Sequence, residues 1–204
     1  MNILTVIRSE HDVIRSITGL LLETRGTAGT REQLWFRLKS ELLAHAWAEE
    51  AALYARLASR PATSHMARHS IGEHQTIDEL VAQLDHIGFD HPTWLPTLRR
   101  LAEISEHHLA EEERELFPVA GRELTEAEKE EATTTYRERR QAWLTRNLHT
   151  LQRTTRSGVD GRTYEARSIA DLRALGRERG IDDPTRLDRS ELVSQLRDAP
   201  EADV

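Results

Sequence analysis

The chain contains no cysteine. Disulfides, thiolate metal sites, iron–sulfur clusters and cysteine nucleophiles are therefore excluded. Aromatic residues are scarce, with three Phe, three Tyr and four Trp. Lysine is almost missing: of 28 basic residues only Lys39 and Lys129 are lysine, an arginine-heavy usage that fits a GC-rich bacterial coding sequence. Long hydrophobic runs are also missing. Apolar stretches such as residues 17–22 are far too short to span a bilayer, which needs about 20 apolar residues, so no membrane partner is expected. Charge appears at Glu10 and His11, too soon for a secretory signal, and the expectation is a cytoplasmic protein. The formal net charge of −7 supplies no general attraction for nucleic acid.

What is present is a helix-forming composition. The 204 residues are 38% apolar and 31% charged, and Ala, Leu, Glu and Arg are abundant. That length suffices for one domain with a real core and an appendage. The ten histidines are out of proportion to the few aromatics. With cysteine absent, imidazole and carboxylate are the strong metal ligands that remain.

Apolar spacing is helical along most of the chain. Ile3, Ile7, Ile14, Ile17 and Leu21 form a first stripe, ended by a Gly/Thr-rich loop over 25–30. Leu34, Leu38, Leu42, Leu53 and Leu57 form a second, ending near Pro61. Ile77, Val81 and Leu84 form a third, closed by a turn over 88–92. Trp94, Leu98, Leu101 and Leu116 form a fourth, ending around Pro118 and Gly121. The pattern predicts an all-α, up-down-up-down four-helix bundle over residues 1–121. Thr125 and Glu128 read as a capping box opening a long fifth helix within 122–156. Residues 157–166 read as a linker. Residues 167–204 read as a small helical module, with Ser168 and an Asp188/Glu191 box as caps and Gly180 as a stop. Its mini-core would hold Ile169, Leu172, Leu175, Ile181, Leu187, Leu192, Val193 and Leu196.

The chemistry lies in an internal repeat. Glu10-His11 recurs as Glu73-His74. His45-x-x-x-Glu49-Glu50 recurs as His108-x-x-x-Glu112-Glu113. Each recurrence has the same offset of 63 residues (11 to 74, 45 to 108, 49 to 112), and Leu38 and Leu101 share it. Two copies of one helical hairpin, related by a pseudo-two-fold axis, are expected.

These repeated residues fall on the buried stripes, in steps of three or four residues. Six ionisable side chains, His11, His45, Glu49, His74, His108 and Glu112, thus stand where aliphatic ones belong. Burying two carboxylates is costly unless cations accompany them. Residues four apart share a helical face, so each His and its Glu can reach one centre, and the two Glu can bridge two metal ions near the axis. The competing reading is a satisfied polar core network without metal. His65, His69, His86, His91, His107 and His149 are assigned to the surface. Glu50, Glu111 and Glu113 flank the ligands and are read as solvated or as supporting them from outside. A mixed His/carboxylate shell in a bundle core suits iron or manganese better than zinc.

With these motifs the first 121 residues resemble the hemerythrin-like, His-His-Glu cation-binding family. The resemblance implies a non-haem di-iron centre with an oxo or hydroxo bridge, manganese or zinc being the substitutes. His11, His45, His74 and His108 would be terminal ligands and Glu49 and Glu112 carboxylate bridges. Oxygen-carrying members have a second His on the third helix, and here the positions four before and four after His74 are Ser70 and Asp78. Asp78, His69 or a water would then fill that place, or a metal position would stay open. This departure favours reactivity with O2 or peroxide, or sensing, over oxygen storage.

The tail resembles the small helix–extended–helix module of transcription terminator Rho, a shape that SAP domains share. Residues 160–204 hold eight Arg against eleven Asp and Glu, so a protein-docking role is favoured over direct nucleic-acid binding. Three functions compete: an oxidoreductase reducing O2 or peroxide in oxidative stress, a sensor of O2, NO or iron signalling through the tail, and a metal-stapled structural protein.

Overall fold

The computed structural model describes residues 2–24, 28–89, 91–156, 169–178, 180–181 and 183–198. Among them the chain is all α. Helix α1 spans Ile3–Leu22. Asn2 caps it, its side chain accepting from the Thr5 N–H at 3.1 Å. Helix α2 begins at Ala28–Glu49 and continues through a wide π turn, Glu50–Tyr54, into Ala55–Leu57. Helix α3 spans Ser64–His86. Helix α4 runs from Trp94–Glu111 through a second π turn, Glu112–Leu116, to Phe117–Glu123. Helix α5 spans Glu126–Arg156.

Two boundaries differ from the sequence expectation. Residues 28–30 are the first turn of α2 rather than loop. Pro118 and Gly121 lie inside α4, which ends at Glu123. A proline in a helix clashes with the carbonyl four residues back. Here Pro118 directly follows a π turn and sits in the first turn of the segment after it, where the regular hydrogen-bond ladder is already interrupted.

Helix α1 packs on α2 and α4, α3 on α4 and α2, and α5 along α2 and α1. Two apolar clusters lie at opposite ends of the bundle. One joins Ile14, Ile17 and Leu21 to Trp35, Leu38, Leu84 and Trp94, so the end of α1 meets the start of α2. The other joins Ile3 and Ile7 to Leu53, Tyr54, Leu57 and Phe117. Neighbouring helices are therefore antiparallel. The charged slab lies between the clusters. Trp94 is fully buried, edge-on to Trp35 at 6.0 Å, and the Trp35 indole donates to Asp85 at 2.9 Å.

The reciprocal capping box forms at α5: the Thr125 N–H donates to Glu128 at 2.8 Å and the Glu128 N–H to the Thr125 hydroxyl at 3.2 Å. In the tail, α6 spans Ile169–Glu178 and α7 spans Arg189–Asp198. Gly180, at φ 71°, ends α6. Its N–H bonds the Arg177 carbonyl and the Ile181 N–H the Gly176 carbonyl, a Schellman closure. Leu172, Leu192, Val193 and Leu196 form the mini-core, with Ile181 and Leu187 against it, while Ile169 is exposed. The expected linker, Ser168 and the side chain of Leu175 lie outside the described residues. No helix among the described residues is long and apolar enough to cross a membrane.

Replacing Trp94 by Ala should lower unfolding free energy by about 3–5 kcal/mol, the usual cost of emptying a large aromatic site, as read by urea denaturation of the full chain. A loss below about 1 kcal/mol would mean that this cluster does not close the bundle end.

Candidate metal centre

The structure brings all six repeated residues together. His11, His45, Glu49, His74, His108 and Glu112 are each at most 2% exposed. Their ligand atoms form two groups that share Glu49. His11, His45, Glu49 and Glu112 make one, and Glu49, His74 and His108 the other. Glu49 Oε2 lies 3.3 Å from His45 Nε2 and 3.7 Å from His74 Nε2. Glu112 Oε2 lies 3.4 Å from His11 Nε2 and 3.6 Å from His108 Nε2. Each carboxylate thus faces one imidazole of each pair.

The outward edges of the imidazoles are all satisfied, three by acids adjacent to other ligands and one by a phenol from α5. His11 Nδ1 donates to Glu113 at 2.7 Å, and Arg15 donates to the same oxygen at 2.9 Å. His74 Nδ1 donates to Glu50 at 3.0 Å and His108 Nδ1 to Glu73 at 2.9 Å. His45 Nδ1 donates to the Tyr136 hydroxyl at 2.8 Å, which in turn donates to Glu10 at 2.6 Å. Ionised carboxylates only accept, so the proton of each neutral imidazole sits on Nδ1 and Nε2 keeps its lone pair. Such outer partners orient metal-binding histidines and raise their basicity. Burial opposes ionisation of Glu10, Glu73 and Glu113. The nearby His45 at Glu10, and the bonds from His108 at Glu73 and from His11 at Glu113, nonetheless hold each carboxyl below the usual range.

Inside the ring the reverse holds. His11 Nε2, His45 Nε2, Glu49 Oε1 and Glu112 Oε2 are buried without a hydrogen-bond partner. His74 Nε2 and His108 Nε2 face each other at 3.0 Å, and two lone pairs at that distance need a proton or cation between them. Orphaned buried polar atoms are rare and call for a physical reason. Without metal, protons carry the compensating charge. Burial disfavours a charged His45, yet Glu49 raises it to about 10. Burial likewise opposes the Glu49 anion, yet His45 brings it down to about 2. His108 is raised by Glu112 against the same burial. The donor set, its inward aim and its unmet atoms fit divalent metal ions.

The π turns explain how one helix serves both purposes. The Ala55 N–H reaches back to the Glu50 carbonyl and the Phe117 N–H to the Glu112 carbonyl. Residues five apart on an α-helix lie on different faces. The wide turn returns Tyr54 to the face of Glu49, where its hydroxyl lies 3.1 Å from Glu49 Oε2 and also contacts Glu112. Phe117, the repeat counterpart of Tyr54, stacks on His11 at 5.7 Å. Burial, followed by the Glu112 charge, keeps Tyr54 well above the usual phenol range.

The place of the missing third-helix histidine is also resolved. Ser70 is 5% exposed and lies near the Tyr54 hydroxyl. Asp78 is exposed and outside both groups. His69 is 56% exposed and pairs with Glu73 and Glu111. Neither Asp78 nor His69 fills the position, because both project from α3 away from the centre. Of the flanking acids, Glu50 and Glu113 support ligands, whereas Glu111 does not. Tyr136 and Arg140 had no sequence signal. Arg140 donates to Glu10 at 3.0 Å and also pairs with Glu41, and both residues come from α5, which has no copy in the repeat.

Comparison with curated proteins and with solved structures gives no match. The hemerythrin HHE cation-binding domain family matches residues 2–120. That span contains the four bundle helices up to the last turns of α4 and every one of the six converging residues, and on it the chain belongs to the hemerythrin HHE cation-binding family.

Proposed function

We propose that the six residues hold two iron ions and that the centre reacts with O2 or peroxide. His11, His45, Glu49 and Glu112 would hold one ion, and His74, His108 and Glu49 the other, with Glu112 reaching both. The observation that carries this reading is the ring of buried, unpartnered donors aimed inward from residues whose outward atoms are all bonded. An N/O donor set without sulfur, built around shared carboxylates, suits iron or manganese better than a lone zinc.

When bound, a di-iron pair supplies the electrons for two-electron reduction of O2 or peroxide. The chain's own contributions are positional. Glu113, Tyr136, Glu50 and Glu73 hold the four imidazoles with Nε2 inward. The Tyr54 hydroxyl lies between the two carboxylates. Apolar clusters on both sides keep bulk water out. Neither Ser70, Asp78 nor His69 adds a donor, so neither ion would gain a third imidazole, which favours reactivity over carriage.

A sensing reading is favoured by one contact. Tyr136 lies on α5 and bonds His45 directly, so occupancy of the centre is felt by the helix that leads to the tail. O2, NO or iron itself would be the signal. The tail's acidic balance favours a protein partner there over nucleic acid. Limited proteolysis discriminates: metal-dependent protection beyond Arg156 supports sensing, and identical cleavage with and without metal supports the catalytic reading.

Aerobically purified full-length protein should carry about two irons per chain, absorb in the visible and, when an external two-electron reductant is supplied, consume peroxide repeatedly. Colourless, inert protein with a single tightly held zinc would overturn the proposal. Glu49→Ala and Glu112→Ala should each remove most of the metal, whereas His65→Ala, on the exposed surface, should keep it. Full loading in both Glu variants would refute the shared-carboxylate assignment. Tyr136→Phe should keep the helical fold but weaken metal retention roughly 10–100-fold, the usual effect of losing an outer partner of a ligand. Unchanged retention would make the hydroxyl dispensable.

A further inference from the structure

Outside the centre, the second hairpin carries another pair of His-x-x-x-Glu spacings. His69 and Glu73 lie four apart on α3, and His107 and Glu111 lie four apart on α4. Both pairs converge on one patch. Glu111 sits between the two imidazoles, Oε1 at 3.4 Å from His69 Nε2 and Oε2 at 3.3 Å from His107 Nε2. Glu73 Oε1 lies 3.7 Å from the same His69 nitrogen. One ligand atom each of His69, Glu73 and Glu111 falls within 4.8 Å of the others. The two helices thus present a small two-imidazole, two-carboxylate basket at the surface, His69 and His107 being 56% and 67% exposed.

The repeat shows why the basket exists on one side only. At the offset of 63 residues, His69, His107 and Glu111 correspond to Val6, Ala44 and Ala48. Those three are buried, and Val6 and Ala48 pack in the cluster that contains Ala132 and Tyr136 of α5. The first hairpin is covered there, and the second is open and ligand-lined. The basket also connects inward: Glu73 turns Oε1 to His69 and accepts from His108 Nδ1 with Oε2.

We infer that His69, Glu73 and Glu111, with His107 beside Glu111, form a further divalent-cation site, one carboxylate away from the inner pair. Nitrogen and oxygen donors in this number suit Fe2+, Co2+ or Zn2+. The site stands or falls independently of what the inner pair holds. A purely electrostatic patch of imidazolium–carboxylate pairs would share the geometry but take up no metal.

Cobalt is the probe, because its visible absorption reports the donor set. Metal-stripped full-length protein and the His69→Ala/His107→Ala variant are titrated with Co2+ by equilibrium dialysis and absorption. Both histidines are exposed, so the variant keeps its fold, checked by far-ultraviolet circular dichroism. The variant should bind about one equivalent less than the wild type, and Glu111→Ala should show the same deficit. Equal binding by all three proteins would overturn the inference. What the double variant still binds reports the inner pair alone, so failure of the outer site and failure of the inner one are read separately.

Discussion

Two carboxylates buried between two apolar clusters are the constraint around which the bundle is arranged. Neither Glu49 nor Glu112 has a surface to escape to, and each needs positive charge at close range. His45 and His108 supply proton-borne charge when no metal is present, and all four imidazoles offer lone pairs when one is. Everything beyond them secures that dual capacity. Outer acids fix the Nδ1 protons, π turns set the register, and Tyr54 lies between the carboxylates. An apolar replacement at any single member would leave the remaining charges unmatched rather than merely remove a contact.

The two-fold relation is close to complete within the hairpins and is broken from outside them. Glu73 bonds His108 directly, whereas its counterpart Glu10 reaches His45 through the Tyr136 hydroxyl. Helix α5 is responsible, since it packs on α1 and α2 and, among the described residues, has no comparable mate against α3 and α4. A phenol replaces a carboxylate as the immediate partner of one imidazole. The two halves of the centre are therefore chemically unequal although their ligand residues repeat.

Much of this was legible in the sequence because burial of charge violates the hydrophobic period. The stripes through Leu38, Leu42, His45 and Glu49 and through Leu98, Leu101, His108 and Glu112, with those through Ile7, His11 and Ile14 and through His74, Ile77 and Val81, place both the helices and the six donors. The 63-residue offset ties them together. The capping boxes at Thr125 and Asp188 were readable from residue types alone. The π turns were not, because they change the register without changing the residue pattern. Their one trace was Pro118, which argues for a helix end in a regular helix and is harmless after a wide turn. Tyr136 and Arg140 were hidden for another reason. They lie among the exposed arginines of a long polar helix, and only the tertiary docking of α5 turns them inward.

The outer acids are traded between the hairpins. Glu113 of the second supports His11 of the first, 102 residues away in the chain, and Glu50 of the first supports His74 of the second. Glu112 likewise sits against His11. Neither hairpin therefore owns a finished half of the centre. A change of acid in one copy removes the hydrogen bond that orients an imidazole in the other. The two copies are thus tied to each other at the centre, whereas their surfaces carry no such mutual constraint.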